Sequence, residues 1–161
     1  SDFEGDFEAY EKKIYEFIVQ AKNRKPLFDI ENIRIGVLGV PTIYSDLYET
    51  IERNGGQVVF NEVQRQFALP WAQETDIITQ YLNYTYPYNV YARLDDIKKE
   101  VKRRNIKGLI HYVQSFCYRQ MHDVILKKEL EIPILTLEGD LPGKLDVRGH
   151  LKIETFLEML R

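Results

Sequence analysis

The chain has 161 residues, of which 44% are hydrophobic and 29% are charged, with a formal net charge of −3. These values fit one globular domain and exclude a disordered chain, and the negative charge argues against nucleic-acid binding. The sequence has one cysteine and no apolar run long enough to span a membrane, so we expect a cytoplasmic protein without internal disulfides.

The spacing of apolar residues predicts helices that alternate with four strands. Residues 3–22 have the pattern of an amphipathic helix, and we interpret residues 1–30 as a connector from a missing N-terminal domain. Short apolar runs predict strands at 33–38, 57–60, 109–113 and 132–137. Three- and four-residue spacing predicts helices over 44–53, 72–83, 90–105, 118–130 and 153–160, with a tyrosine-rich loop at 84–88.

Strands that alternate with helices favour a parallel sheet covered on both faces, so residues 31–161 are predicted to form an α/β domain of flavodoxin-like, three-layer architecture. We predict the strand order 2-1-3-4. In that order the loops after the first and third strands flank the switch point, where open α/β sheets bind ligands. The loop 40–42 and the segment 114–117 would then face each other across one crevice.

Cys117 is the residue whose role decides the functional interpretation. It follows a predicted buried strand and precedes a predicted helix, a place where positive helix-end potential favours a thiolate. It is either a small buried residue, as free cysteines most often are, or a thiolate ligand or nucleophile. The sequence has neither GxGxxG nor a phosphate-binding GxxxxGK[ST] loop, and its three histidines lack zinc-site spacing.

Several segments together resemble a known enzyme family. They are GVPTIYSDLY at 39–48, FNEVQRQF at 60–67, HYVQSFC at 111–117 and LTLEGD at 135–140. They are similar to the carboxyl-terminal part of 2-hydroxyacyl-CoA dehydratase subunits, which include 2-hydroxyglutaryl-CoA dehydratase component D and the benzoyl-CoA reductase subunits. The resemblance runs from about residue 33 to the last residue.

The resemblance implies a subunit of two flavodoxin-like domains that hold a 4Fe–4S cluster between them. Cys117 would be one ligand, and the preceding domain of the parent chain would supply further cysteines. In such dehydratases a single electron forms a ketyl radical from a 2-hydroxyacyl-CoA, and water is then eliminated. The implied partners are an acyl-CoA substrate, a second dehydratase subunit and an ATP-dependent activator protein. The intact parent would be a lyase, and the 161 residues alone would be inactive and hold no cluster.

The resemblance also suggests roles for residues around Cys117. Gln114, Phe116 and Arg119 would surround the ligand sulfur and tune the cluster, although Phe116 could equally pack in the core. Glu62 and Gln64 would contact substrate or the missing domain, and Glu138 and Asp140 would bind substrate. Pro41 and Thr42 would surround the cluster ligand or contact substrate. Glu62 and Gln64 could instead cap backbone, and Glu138 and Asp140 could be turn residues.

Two other functions remain open at this point. The intact protein could be a reductase of the benzoyl-CoA type or another cluster-dependent reductase. Alternatively, the domain could be a cluster-free interaction module, in which case we expect the sulfur of Cys117 to be buried under packed side chains.

Overall fold

The computed structural model of the protein describes residues 5–25, 31–68, 76–84 and 90–161. The chain divides into two compact units, Ser1–Ile30 and Glu31–Arg161. The first unit contains the helix α1 (Phe7–Asn23), where the sequence predicted a helix over 3–22; residues 3 and 4 lie outside the described part. The Asp6 carboxylate caps α1 by accepting a hydrogen bond from the Glu8 amide at 3.2 Å, and no α1 residue is buried.

The second unit is built on a four-stranded, all-parallel sheet with the predicted strand order. Its strands are β1 (Ile33–Gly39), β2 (Gly56–Asn61), β3 (Gly108–Val113) and β4 (Ile134–Glu138), arranged β2-β1-β3-β4. All six residues of the central strand β3 are buried, as expected of a strand covered on both faces. The flavodoxin-like, three-layer prediction is therefore confirmed.

Six helices are described in this unit: α2 (Leu47–Arg53), α3 (Glu62–Phe67), α4 (Ile77–Leu82), α5 (Val90–Arg104), α6 (Arg119–Glu129) and α7 (Val147–Met159). The predictions for α5 and α6 are confirmed to within one residue at each end. α2 begins three residues later than predicted, because Tyr44 forms a bridge to Gly143 and keeps the chain extended there. The short helix α3 was not predicted. Residues 72–75 of the predicted helix 72–83 lie outside the described residues, and so do residues 85–88 of the tyrosine-rich loop.

Two apolar clusters cover the two faces of the sheet, and side chains along β3 alternate between them. Ile110 and Tyr112 pack with residues of α2 and α7, such as Ile51 and Ile153. Leu109 points the other way, toward α5 and α6, into a cluster whose other members are Leu38, Phe60, Val90, Leu94, Ile97, Ile106, Leu126 and Leu130. His111 follows the same alternation as Leu109, so its imidazole is directed toward α5 and α6. None of the described helices is long and apolar enough to cross a membrane.

Candidate functional site

Two loops leave neighbouring strands at the carboxyl edge of the sheet and form the lips of the candidate site. The first lip is residues 39–42, starting at the last residue of β1, and the second lip is residues 114–118, after β3. Gly39 pairs with Tyr112 in the sheet and has a φ of +94°. A Cβ at position 39 would lie 2.1 Å from the Tyr112 carbonyl oxygen, so only glycine allows this approach of β1 to β3.

Three of the predicted site residues lie close together, two of them in the first lip itself. Pro41, Thr42 and Gln64 line a small crevice between the ends of β1 and β2, which also includes Tyr48 and Asn61. The Tyr48 hydroxyl donates a hydrogen bond to Asn61 Oδ1 at 2.9 Å and braces one wall of the crevice. Its free volume of about 10 Å³ holds at most a water molecule, so these residues form a surface and not a closed pocket.

Glu62 lies beneath the first lip, where its side chain is only 3% exposed. Its carboxylate accepts a hydrogen bond from the Gly39 amide at 2.9 Å and two from the Arg93 guanidinium, at 2.5 and 2.7 Å. Burial favours the neutral acid, but the hydrogen bonds and charge of Arg93 outweigh it, so the pKa of Glu62 is lowered. Glu62 therefore holds the lip from below and is not exposed to a ligand.

Arg93 connects Glu62 to two histidines, and together with Asp123 these residues form what we call the charge network. The Arg93 guanidinium donates to His122 Nδ1 at 3.2 Å and to His111 Nε2 at 3.4 Å. Because arginine has no acceptor, both of these ring nitrogens must be unprotonated. His111 then carries its proton on Nδ1, which donates to Asp123 Oδ1 at 2.9 Å.

The charge network includes residues whose position sequence reasoning missed. Burial and the charge of Arg93 lower the pKa of His111 to about 4, and burial with the charges of Arg93 and Arg119 lowers that of His122. The His122 ring is half-buried and contacts the Arg93 guanidinium, a contact that helical spacing alone does not indicate. The sequence did contain an indication that Arg93 is buried, because its helical spacing places it on the apolar face beside Val90 and Ile97.

The second lip is held to the end of β4 by hydrogen bonds. Ser115 donates its amide to Asp140 Oδ1 at 2.6 Å, and its hydroxyl donates to the other Asp140 carboxylate oxygen and to Glu138 Oε1 at 3.3 Å. Hydrogen bonds from the Ser115 hydroxyl and amide lower the pKa of Asp140. Gln114, also in this lip, is half-buried. The structure thus brings the second lip together with both predicted acidic residues.

Phe116 and Cys117 form the tip of the second lip. The alternative that Phe116 packs in the core is wrong: its side chain is fully exposed, and its φ of +62° is a left-handed conformation that costs a phenylalanine roughly 1–3 kcal/mol. Cys117 is half-buried, and its turn is fixed by hydrogen bonds from its amide to the Gln114 carbonyl and from the Gln120 amide to its own carbonyl. Its thiol therefore belongs to the carboxyl edge and not to the core.

The side chains of Arg119 and His122 both contact the ring of Tyr118, the residue that follows this tip. The Arg119 side chain is buried, and its guanidinium carbon lies 5.4 Å from the centre of the Tyr118 ring. The same ring makes an edge-on contact with His122 at 5.6 Å between centroids. Since His122 contacts Arg93, the charge network extends from the first lip to the second.

A larger open cavity of about 490 Å³ adjoins the end of β4. Glu138, Asp140 and Tyr44 line one side, and three cationic side chains line it as well, namely Lys144, Arg148 and Lys152. Burial and nearby carboxylates raise the pKa of Tyr44, whose hydroxyl donates to the Glu138 carbonyl oxygen at 3.1 Å. In the part of the chain that the structure describes, none of the three cations forms an ion pair with a carboxylate.

The donor set at the edge decides what metal chemistry these residues can support. Within residues 5–25, 31–68, 76–84 and 90–161, no three His, Cys, Asp or Glu side chains are grouped so as to hold a metal ion. Iron–sulfur clusters are held mainly by thiolates, and the sequence contains one cysteine. The chain can therefore supply one thiolate, that of Cys117, to such a cluster.

Comparison with known proteins gives one family. The family model for 2-hydroxyglutaryl-CoA dehydratase, D-component, matches residues 2–160. A search of curated proteins gives no match.

Proposed function

The chain belongs to the 2-hydroxyglutaryl-CoA dehydratase D-component family, and we propose that it is the cluster-binding part of an iron–sulfur 2-hydroxyacyl-CoA dehydratase. The reaction would be the elimination of water from a 2-hydroxyacyl-CoA. The family match over residues 2–160 carries this proposal, since it spans nearly the whole chain. Family membership makes it a dehydratase-like subunit; the acyl-CoA substrate, the further subunit and the activating protein belong to the proposal.

The position of Cys117 supports its role as a cluster ligand. It lies at the carboxyl edge beside the switch point between β1 and β3, the usual ligand position in open α/β sheets. A bound 4Fe–4S cluster would supply single-electron transfer to the thioester substrate. Gln114, Phe116 and the buried Arg119 are close to Cys117 in the chain and would tune the cluster through hydrogen bonds, solvent exclusion and positive charge.

The cavity beyond β4 supports binding of a CoA thioester. CoA carries several phosphate groups, and the cations Lys144, Arg148 and Lys152, which make no ion pair with any described carboxylate, line the cavity and suit those groups. Asp140 accepts hydrogen bonds from both the amide and the hydroxyl of Ser115, whereas Glu138 accepts only one, at 3.3 Å, and so has more free acceptor capacity. Glu138 is exposed at the same edge and would approach the acyl part of the substrate, as would Pro41, Thr42 and Gln64 across the first lip.

The ligand role of Cys117 is tested by iron and acid-labile sulfide content of the intact protein, prepared without oxygen. We expect Cys117→Ser to lose most of the iron. Met121→Ala is the matched control, because it removes another sulfur-containing side chain from the exposed surface four residues away and should leave iron unchanged. Equal iron in both variants would exclude Cys117 as a ligand. No iron in any sample after reconstitution would support the cluster-free interaction module instead.

The substrate class is tested separately by the affinity for a 2-hydroxyacyl-CoA. Replacing Arg148 and Lys152 by alanine removes two phosphate partners, and we expect binding to weaken by roughly tenfold or more. Lys128→Ala, an exposed cation on α6, is the control for a general change of charge. Equal affinities in these variants would reject the cavity as the CoA site.

A further inference from the structure

Arg93 reaches both lips of the candidate site from a helix on one face of the sheet. Through Glu62 it holds the Gly39 amide of the first lip, with hydrogen bonds of 2.5, 2.7 and 2.9 Å along that path. Through His122, at 3.2 Å, it reaches the Tyr118 ring of the second lip. A single guanidinium thus connects the loops after β1 and β3.

The stability of the fold alone does not explain why a charged arginine is buried at position 93. Arg93 is 1% exposed and Glu62 is 3% exposed, and a buried ion pair often contributes no more than well-packed apolar side chains would. What such a pair can provide is a defined geometry, because the planar guanidinium has donors in fixed directions. Here those directions point to a carboxylate and to two imidazoles.

We propose that Arg93 is a positioning residue that sets the distance and orientation of the two lips of the candidate site. It acts by holding Glu62 under Gly39 and His122 under Tyr118, and it does not touch the ligand. This inference takes from the proposed function only that the region between the two lips is the functional site. No cluster and no substrate are needed to test it.

A neighbouring ion pair offers a matched control. Arg65 of α3 bonds Asp96 of α5 at 2.6 Å and lies 3.6 Å from Glu100, so it connects the same two helices as the Glu62–Arg93 pair. It is also largely buried, with 13% of its side chain exposed. Its ion pairs are with residues of α5, so its loss should affect stability without a direct effect on either lip.

The test is residue-specific amide hydrogen exchange, measured by NMR on the 161-residue chain. We compare wild type with Arg93→Lys, which keeps the charge but not the planar fork, and with Arg65→Met. The Gly39 and Cys117 amides report the two lips, because they bond to Glu62 and to the Gln114 carbonyl. Ile110 in β3 reports global stability.

In Arg93→Lys we expect exchange at Gly39 and Cys117 to accelerate by roughly tenfold relative to Ile110, the effect of one weakened charge-assisted hydrogen bond. Alkylation of Cys117 by iodoacetamide should also become several-fold faster. Arg65→Met should change neither ratio. If exchange in Arg93→Lys accelerates equally at Gly39, Cys117 and Ile110, Arg93 has only a structural role. The same conclusion follows if exchange at Gly39 and Cys117 accelerates as much in Arg65→Met as in Arg93→Lys. Iron content does not enter these results, so they are independent of the cluster assay.

Discussion

The buried imidazole of His111 makes the fold sensitive to mild acid. Its side chain is fully buried, and burial with the charge of Arg93 lowers its pKa to about 4, from an unfolded value of about 6.5. Between those two values the unfolded chain binds a proton that the folded chain does not. The free energy of unfolding therefore falls as pH decreases through this window. The contribution of neutral His111 to stability is fully present above pH 6.5. A pKa difference of roughly 2.5 corresponds to about 3 kcal/mol.

Urea unfolding at several pH values between about 7 and 4.5 measures this loss, with His111→Gln as the comparison. Glutamine stays neutral and can still donate to Asp123 and accept from Arg93. We expect wild type to lose about 2–3 kcal/mol more than the variant over this range. His122 and Glu62 titrate in both proteins, so their contributions cancel in the difference. Parallel pH profiles for the two proteins would refute the assignment of a depressed pKa to His111.

Two further predictions concern the first lip. Glu62→Gln should lower the free energy of unfolding by about 3–5 kcal/mol, because it leaves the Arg93 cation buried without its partner. The double variant Glu62→Gln with Arg93→Met should lose less, since no charge is then left unpaired. A loss under about 1 kcal/mol for Glu62→Gln in urea unfolding would contradict the importance of this ion pair. Gly39→Ala should destabilise by about 3 kcal/mol or more, since its φ is +94° and its Cβ would collide with the Tyr112 carbonyl. Gly143→Ala, at φ +153° with nothing within 4 Å, should cost only about 1 kcal/mol, and similar melting temperatures for the two alanine variants would show that the collision is relieved.

Most of the sheet could be predicted because strand signals are local. The run at 108–113 is buried on both faces, and such a strand is apolar almost throughout, so its sequence alone marks it. The strand order followed from the small number of arrangements that parallel crossovers permit. The position of Cys117 followed in the same way, because a residue between a strand and the next helix must lie at the carboxyl edge.

The helix ends and the short helix α3 were less predictable, because distant residues decide them. α2 begins at Leu47 and not at Tyr44 because Tyr44 pairs with Gly143, almost a hundred residues along the chain. The segment 62–67 has few apolar residues, yet Glu62 and Gln66 are buried. Their partners are Arg93 and Asp96 on another helix, so no local spacing could reveal this face.

The sequence by itself determined the parallel α/β fold, the strand order and the family, because apolar periodicity and short motifs are properties of neighbouring residues. It also placed Cys117 at the edge where a ligand would bind. Only the tertiary structure decided that Glu62 faces inward, that Phe116 faces solvent and that Arg93 joins both lips. A charged side chain can be buried only where partners from other elements neutralise it, and those partners are defined by the folded chain and not by sequence spacing.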